Sequence, residues 1–152
     1  MYTFRYKSHH DASGELKKKY TSAESVLSYV ERMLNESAAS RRVIYLHVPF
    51  CNKICSFCPF HRPDELRRRD YHRYLIEEMH RICEYPYMRA PIDAVNFGGG
   101  TPTALLPEQM DAVLTELRTC FDIAPEAEIS VESSATELTA EMLEVLKKGG
   151  VN

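Results

Sequence analysis

The chain has 152 residues, of which 44% are hydrophobic and 27% are charged, a balance typical of a globular domain. Its formal net charge of −3 argues against a nucleic-acid partner, because proteins that bind duplexes usually carry a strong basic excess. No stretch approaches the roughly 18 consecutive apolar residues of a membrane span, and the N-terminus lacks the apolar core of a signal peptide. We therefore expect a cytoplasmic protein without a membrane span, whose thiols stay reduced.

Residues 1–40 are predicted to form an N-terminal arm that contains one helix. Thr21 and Glu24 have the spacing of a capping box, which indicates a helix start. The apolar side chains that follow recur at helical intervals and are Val26, Val30, Met33 and Leu34. This arm offers no candidate catalytic or binding residue.

Three rounds of strand followed by helix are predicted from residue 43 onward. The strands, rich in β-favouring residues, are expected at 43–48, 93–97 and 128–132. The helices carry apolar stripes of helical period. The first is expected at about 64–84, and the second begins near Pro107, after a glycine-rich turn at 98–103. The third is expected at 139–148 and is stopped by Gly149 and Gly150. Strands that alternate with helices predict an α/β fold with a parallel sheet. Three units are too few to close a barrel, so residues 41–152 are interpreted as the N-terminal half of a larger domain.

Three of the five cysteines fall within eight residues, on the loop that follows the first predicted strand. Cys51, Cys55 and Cys58 form a C-x3-C-x2-C array, and so short a loop brings three sulfurs to a common point. Cysteine-only ligation favours an iron–sulfur cluster or zinc. Three thiolates leave one iron of a [4Fe–4S] cube without a protein ligand, where an exogenous ligand can bind.

Zinc is the alternative interpretation of this array, with His61 as a fourth ligand in a zinc-stabilised binding module. Common zinc modules pair two ligands with two others a dozen or more residues away. Nothing downstream supplies that second pair, because Cys83 and Cys120 lie within helical patterns and are expected to be core thiols. The residues therefore favour iron–sulfur over zinc.

Two longer strings extend this motif. The cysteine array, with Phe57 before its last cysteine, is similar to the signature of the radical S-adenosylmethionine (SAM) superfamily. The string YLHVPFC at residues 45–51 and the string FGGGTPT at 97–103 resemble the family of oxygen-independent coproporphyrinogen III oxidase, whose relatives include a haem chaperone and anaerobic haem-degrading enzymes. From about residue 43 to the end, the resemblance implies a partial (βα) barrel of the radical-SAM type, with its first three βα units present and preceded by the N-terminal helical arm.

The resemblance also implies cofactors and partners. Cys51, Cys55 and Cys58 would hold a [4Fe–4S] cluster, whose open iron SAM would chelate through its amino and carboxylate groups. Reduction of the cluster would cleave a carbon–sulfur bond of SAM and release a 5′-deoxyadenosyl radical. The implied SAM contacts are Tyr45 at the methionine end, Phe57 at the adenine, Gly98, Gly99 and Gly100 with Thr101 at the amino group, and Glu132 at the ribose. A tetrapyrrole substrate or haem, and an electron donor such as flavodoxin or ferredoxin, are the expected partners.

Strand periodicity bears independently on Glu132. Ile129 and Val131 share one face of the third predicted strand, so Ser130 and Glu132 point the other way. By the same parity we expect the barrel interior to be lined by Tyr45 and His47, by Ala94 and Asn96, and by Ser130 and Glu132. A solvated glutamate at a strand end is the alternative reading of Glu132.

One position departs from the oxidase pattern. The oxidase carries a further cysteine two residues after the third ligand, and this chain has Phe60 there. The departure leaves a haem chaperone or an anaerobic haem-degrading protein as alternatives to coproporphyrinogen oxidation.

Overall fold

The computed structural model describes residues 23–36, 41–53, 55–59 and 69–152, which fall into two units divided between Glu36 and Ser37. The first unit contains helix α1 (Ala23–Asn35), so an N-terminal helix forms where one is predicted. An ion pair between Arg32 and Glu36, 2.8 Å long, closes its last turn. The predicted capping residue Thr21 lies outside the described residues.

The second unit alternates strands and helices, and the strands form one parallel sheet. Its strands are β1 (Val43–Val48), β2 (Ile92–Gly99) and β3 (Ile123–Val131), which pair in parallel in the order β1-β2-β3. Its α-helices are α2 (Tyr71–Ile82), α3 (Pro107–Cys120) and α4 (Ala140–Lys148). The predicted α/β class with a parallel sheet is confirmed. None of the helices in the described ranges is long and apolar enough to cross a membrane.

The strands form because apolar side chains recur on one face of the sheet, the face covered by helices. In β1, Leu46 and Val48 are buried, whereas Tyr45 and His47 on the opposite face are exposed. The buried partners in the sheet and helices are Val95, Phe97, Ile129, Leu75, Met79, Met110, Val113, Leu117, Met142 and Leu146. Burial of each such side chain stabilises the fold by about 1.5–3 kcal/mol before chain entropy is counted. This one-sided core leaves the other face of the sheet open for a site.

Helix α2 begins later than predicted. The expected start near residue 64 is wrong at least for Arg69 and Asp70, which form a turn before the helix starts at Tyr71. The physical reason is that neither side chain brings apolar surface to the core, whereas the buried stripe of the helix begins with Leu75. The Arg69 carbonyl instead accepts a hydrogen bond from Gln109 Nε2 at 2.8 Å. Residues 60–68 lie outside the described residues.

Two strands are longer than predicted. Strand β3 begins at Ile123 rather than near residue 128. Its register against β2 shifts, because Ile92 pairs with Ile123 whereas Ala94 pairs with Glu128. Pro125 lies in this shifted part, where a residue without an N–H group is tolerated. In β2, the first two glycines of the predicted turn belong to the strand and pair with His47 and Val48 of β1.

The predicted helix boundaries at Pro107 and at residues 139–148 are confirmed within one residue. Helix α3 starts at Pro107, a position where a missing N–H group costs no intrahelical hydrogen bond. Helix α4 starts at Ala140 because the Thr139 hydroxyl accepts a hydrogen bond from the Met142 amide at 3.1 Å. It ends at Lys148, directly before Gly149.

Candidate functional site

The carboxyl ends of the three strands lie at one edge of the sheet, and each leads into a predicted site segment. Strand β1 leads into the loop with Cys51, β2 ends in the glycines, and β3 ends next to Glu132. Ligands bind at this edge of parallel α/β sheets because the strand-to-helix loops converge there. The topology therefore collects at one place segments that are about 40 residues apart in sequence.

Backbone hydrogen bonds tie the cysteine loop to the glycine segment. The Gly100 amide donates to the Val48 carbonyl at 2.8 Å, and the Thr101 amide donates to the Phe50 carbonyl at 2.7 Å. The Thr101 hydroxyl also donates to Cys51 Sγ at 3.4 Å. Thr101 and Phe50 are buried, so these contacts hold the half-buried Cys51 against the second strand.

Two of the glycines are closely approached by other groups. A Cβ atom added to Gly100 would lie 2.6 Å from the Phe50 carbonyl oxygen and 2.9 Å from Cys51 Sγ. A Cβ atom added to Gly98 would lie 3.0 Å from the Tyr45 hydroxyl and 3.1 Å from a carboxylate oxygen of Glu132. One side of the glycine segment thus contacts the predicted metal ligand, and the other contacts two predicted SAM ligands.

Gly99 is the one glycine of this segment with a positive φ. Its φ of +118° is a conformation that residues with a side chain rarely adopt. A Cβ atom at Gly99 would also lie 2.7 Å from the His47 ring. The Nδ1 atom of that ring lies 3.1 Å from the Tyr45 hydroxyl, so His47 orients a predicted SAM contact.

The open face of the sheet carries the side chains that strand parity predicts for it. Tyr45, Asn96 and Ser130 are cross-strand neighbours in the register, and Asn96 Nδ2 donates to Ser130 Oγ at 2.8 Å. Tyr45 is 56% exposed, which leaves its ring free to contact a ligand. The exposed Glu132 continues this row, and its amide is fixed by the Phe97 carbonyl at 2.9 Å.

Cys55, Cys58 and Phe57 lie on the exposed turn that follows Cys51. The Cys58 amide donates to the Cys55 carbonyl at 3.1 Å, both thiols are free and exposed, and Phe57 is 85% exposed. No contact recorded among the described residues joins Phe57 to the glycine segment, although Cys51 is held there. The zinc alternative depends on His61, and the departure from the oxidase pattern is Phe60. Both residues lie outside the described residues.

Residues 45–152 match the family model described as the radical SAM superfamily. The chain belongs to the radical-SAM superfamily. Two curated relatives are an oxygen-independent coproporphyrinogen III oxidase of Bradyrhizobium diazoefficiens, 38% identical over 127 residues, and an anaerobilin synthase of Escherichia coli O157:H7, 36% identical over 126 residues. Each alignment covers 80% of this chain and 28% of the relative, so the chain spans little more than a quarter of those proteins.

A solved structure supports the same assignment. The chain superposes on coproporphyrinogen III oxidase from Escherichia coli, described as a radical-SAM enzyme, with a TM-score of 0.66 and 28% sequence identity. The match covers 78% of this chain and 28% of that structure. The predicted partial barrel of the radical-SAM type, and the resemblance to coproporphyrinogen III oxidase and its relatives, are thereby confirmed.

Tyr71 lies beside the candidate site, and the sequence analysis does not identify it. Its hydroxyl donates to the His47 carbonyl at 2.8 Å, and its ring packs edge-on against Phe50 with centroids 5.0 Å apart. Burial, and to a lesser extent the charge of Glu78, raises the pKa of Tyr71 above its usual 10.0, so the hydroxyl remains a donor. Its only sequence signal is an aromatic residue within the helix predicted at about 64–84, which does not distinguish it from a core residue.

The residues present fit the two cofactors that this superfamily uses in general. Three free thiols on one loop match the ligand preference of an iron–sulfur cluster. The glycine segment presents backbone rather than side chains toward the space between the loop and the strand ends. The carboxylate of Glu132 at that edge supplies acceptors for hydroxyl groups.

Proposed function

We propose that Cys51, Cys55 and Cys58 hold a [4Fe–4S] cluster, and that SAM binds across the strand ends within an enzyme that acts on a tetrapyrrole. One observation carries the proposal. The glycine segment is in close approach to Cys51 Sγ at Gly100 and to the Tyr45 hydroxyl and Glu132 carboxylate at Gly98. A molecule chelated at a cluster on Cys51 and extending along these glycines would reach the other two side chains.

The roles of the chain's own residues follow from these contacts. A cluster held by Cys51, Cys55 and Cys58 would, when reduced, supply the electron for cleavage of a carbon–sulfur bond of SAM to the 5′-deoxyadenosyl radical. The Thr101 hydroxyl, 3.4 Å from Cys51 Sγ, donates to the thiolate and orients it. Glu132 accepts hydrogen bonds from the ribose hydroxyls, and its charge makes those bonds stronger than neutral ones.

Tyr45 and Phe57 are exposed aromatic residues that would contact SAM at its methionine end and at its adenine. Tyr45 lies on the open face of β1, where its hydroxyl contacts His47 and would be available to the methionine end of SAM. The exposed ring of Phe57 stacks on the adenine, which would bury apolar surface that is now in water. Because Phe57 lies between Cys55 and Cys58, cluster assembly and adenine binding are expected to order the same turn.

A tetrapyrrole is the substrate class that the relatives favour, since their names are coproporphyrinogen III oxidase and anaerobilin synthase. We therefore propose an oxidoreductase of porphyrin metabolism, reduced by flavodoxin or ferredoxin. Phe60, in place of the oxidase's further cysteine, favours a second candidate, a haem chaperone or an anaerobic haem-degrading protein. These candidates share the cluster and SAM and differ in what happens to the porphyrin.

Anaerobic reconstitution with iron and sulfide tests the cluster in the full-length protein that contains this chain. We expect a brown protein that absorbs near about 400 nm. The variant C51A/C55A/C58A loses the bound iron, whereas the matched variant C83S, which changes a thiol outside the loop, retains it. A colourless protein that binds zinc through these three cysteines would refute the proposal in favour of a zinc-stabilised module.

The substrate is tested by adding dithionite, SAM and either coproporphyrinogen or haem to the reconstituted full-length protein. Formation of 5′-deoxyadenosine together with a modified porphyrin supports a tetrapyrrole enzyme. Haem that is bound and recovered unchanged identifies a chaperone instead. Cleavage of SAM that neither porphyrin accelerates or couples to its own modification would refute the tetrapyrrole assignment while leaving the cofactor site intact.

A further inference from the structure

A cluster of metal-ligating side chains lies at the end of the fold opposite the cysteine loop. Helices α2 and α3 run back from the carboxyl ends of the strands, so their last turns lie near the strand starts. The ligand atoms of His80 on α2 and of Glu116 and Cys120 on α3 lie within 4.8 Å of one another. The proposed SAM site uses none of these residues.

The local geometry brings the three atoms together without a change of backbone. Glu116 and Cys120 are four residues apart on α3, so their side chains share one helix face. His80 faces them from α2, with Nε2 2.9 Å from Glu116 Oε2. A tetrahedral zinc ion with bonds of about 2.0–2.3 Å holds its ligand atoms about 3.2–3.8 Å apart, so small side-chain rotations convert this cluster into a site.

Burial and charge at this position favour a cation. The Glu116 side chain is 32% exposed and that of His80 is 55% exposed, so the cluster is partly sheltered and still reachable from solvent. Both helices end here, and the partial negative charge of their last carbonyl groups stabilises a cation. A cavity of about 510 Å³, whose lining includes Cys83 and Cys120, adjoins the cluster and provides an entry path.

Cys83 has a different role from Cys120. Its thiol donates to the His80 carbonyl at 3.6 Å and adjoins the Cys120 thiol. Burial, followed by the proximity of Cys83, raises the pKa of the Cys120 thiol to about 11. Cys83 lies beside the group whose ligand atoms are within 4.8 Å of one another, which consists of His80, Glu116 and Cys120.

We propose that His80, Glu116 and Cys120 form a second metal site, which binds a divalent transition cation of the zinc class through one nitrogen, one oxygen and one sulfur. This donor set suits a borderline ion and is unsuited to magnesium or calcium, which take oxygen ligands. Three protein ligands leave a fourth position for water. The ion joins the ends of α2 and α3, so its role is to clamp these helices behind the sheet.

Cobalt(II) is the probe, because its spectrum reports both thiolate ligation and tetrahedral geometry. The full-length protein is prepared as C51A/C55A/C58A, so that the loop thiols cannot bind cobalt, and is titrated under reducing conditions. We expect a thiolate-to-cobalt charge-transfer band and tetrahedral d–d bands that zinc abolishes by competition. In the same background, C120S and H80A are each expected to weaken cobalt binding at least about 100-fold. Loss of a group that only hydrogen-bonds to a metal ligand costs up to about 100-fold, so the loss of a ligand itself should cost at least that much.

Two matched variants exclude general effects on folding. C83S changes the neighbouring thiol and E77Q changes an exposed glutamate on α2, and both are expected to change cobalt affinity less than about 10-fold. Circular dichroism checks that every variant is folded. The proposal is overturned if cobalt gives no thiolate band, if the band persists unchanged in C120S or H80A, or if C83S weakens binding as much as C120S does.

Discussion

Replacement of Gly100 by alanine directs a methyl group at the contact between the glycine segment and the cysteine loop. The new Cβ atom would lie 2.6 Å from the Phe50 carbonyl oxygen and 2.9 Å from Cys51 Sγ. Neither neighbour can withdraw freely, because the amides of Gly100 and Thr101 are bonded to the Val48 and Phe50 carbonyls at 2.8 and 2.7 Å. The substitution therefore strains the backbone that positions the first cysteine.

The size of the effect follows from these distances. Ordinary contact near 3.5 Å requires the loop to move by about 0.6–0.9 Å. That displacement exceeds the tolerance of about 0.5 Å within which a functional constellation works. Overpacking of this kind costs about 1–3 kcal/mol, and each kcal/mol lowers the melting temperature by about 2–4 °C in a domain of this size.

The assay compares G100A with G149A, which introduces an equally close contact far from the loop. A Cβ atom at Gly149 would lie 2.5 Å from Leu114 Cδ1, in the packing between α3 and α4. We expect both variants to melt at lower temperature, and only G100A to lose most of its iron and sulfide after anaerobic reconstitution. Wild-type iron content in G100A, or an equal loss of iron in G149A, would refute the reasoning.

Three further predictions concern other positions. T139A removes the hydroxyl that caps α4 and should lower the free energy of unfolding by about 1 kcal/mol in chemical denaturation, whereas an unchanged midpoint would contradict the cap. Y71F leaves the His47 carbonyl without its donor and should cost about 1 kcal/mol. The pKa of Tyr71 is raised in the folded state, so this tyrosine contributes its full stability below pH 10 and loses that contribution as pH rises through the folded pKa. Above pH 10, wild type should therefore lose more stability than Y71F does. E132Q should weaken SAM binding about 10-fold or more in calorimetry of the reconstituted protein. The control variant E144Q, on the exposed face of α4, should bind SAM like wild type. Equal affinities of E132Q and wild type for SAM would show that Glu132 is only a solvated residue at a strand end.

Strand parity predicted the orientation of the open face because the side-chain period in a strand is two whatever its exact ends. Tyr45 and His47 are exposed and Leu46 and Val48 are buried, as the alternation indicates. The assignment survives although β3 begins at Ile123, well before its predicted start. The arrangement of the strand ends was predictable for the same reason, since parallel strands bring their carboxyl ends to one edge.

Element starts and contacts distant in sequence were not predictable from pattern alone. The start of α2 at Tyr71 depends on where apolar surface meets the core, and charged residues with helical propensity continue the apparent pattern beyond that point. The close approach of Gly100 to Cys51, and of His80 to Cys120, depends on side-chain packing between separate elements. The cysteine array predicts a site from sequence because its three cysteines lie close together in the chain. The residues of the cluster on α2 and α3 lie far apart in sequence, so their spacing gives no such signal.

Electron paramagnetic resonance of the reduced, reconstituted full-length protein tests the central claim most directly. The account predicts a [4Fe–4S]⁺ signal that changes shape when SAM is added, because in the proposed site SAM would bind the iron that Cys51, Cys55 and Cys58 leave open. It also predicts that C58A lacks this signal while C83S retains both the signal and its response. A cluster signal that SAM leaves unchanged, or one that survives in C58A, would contradict the account.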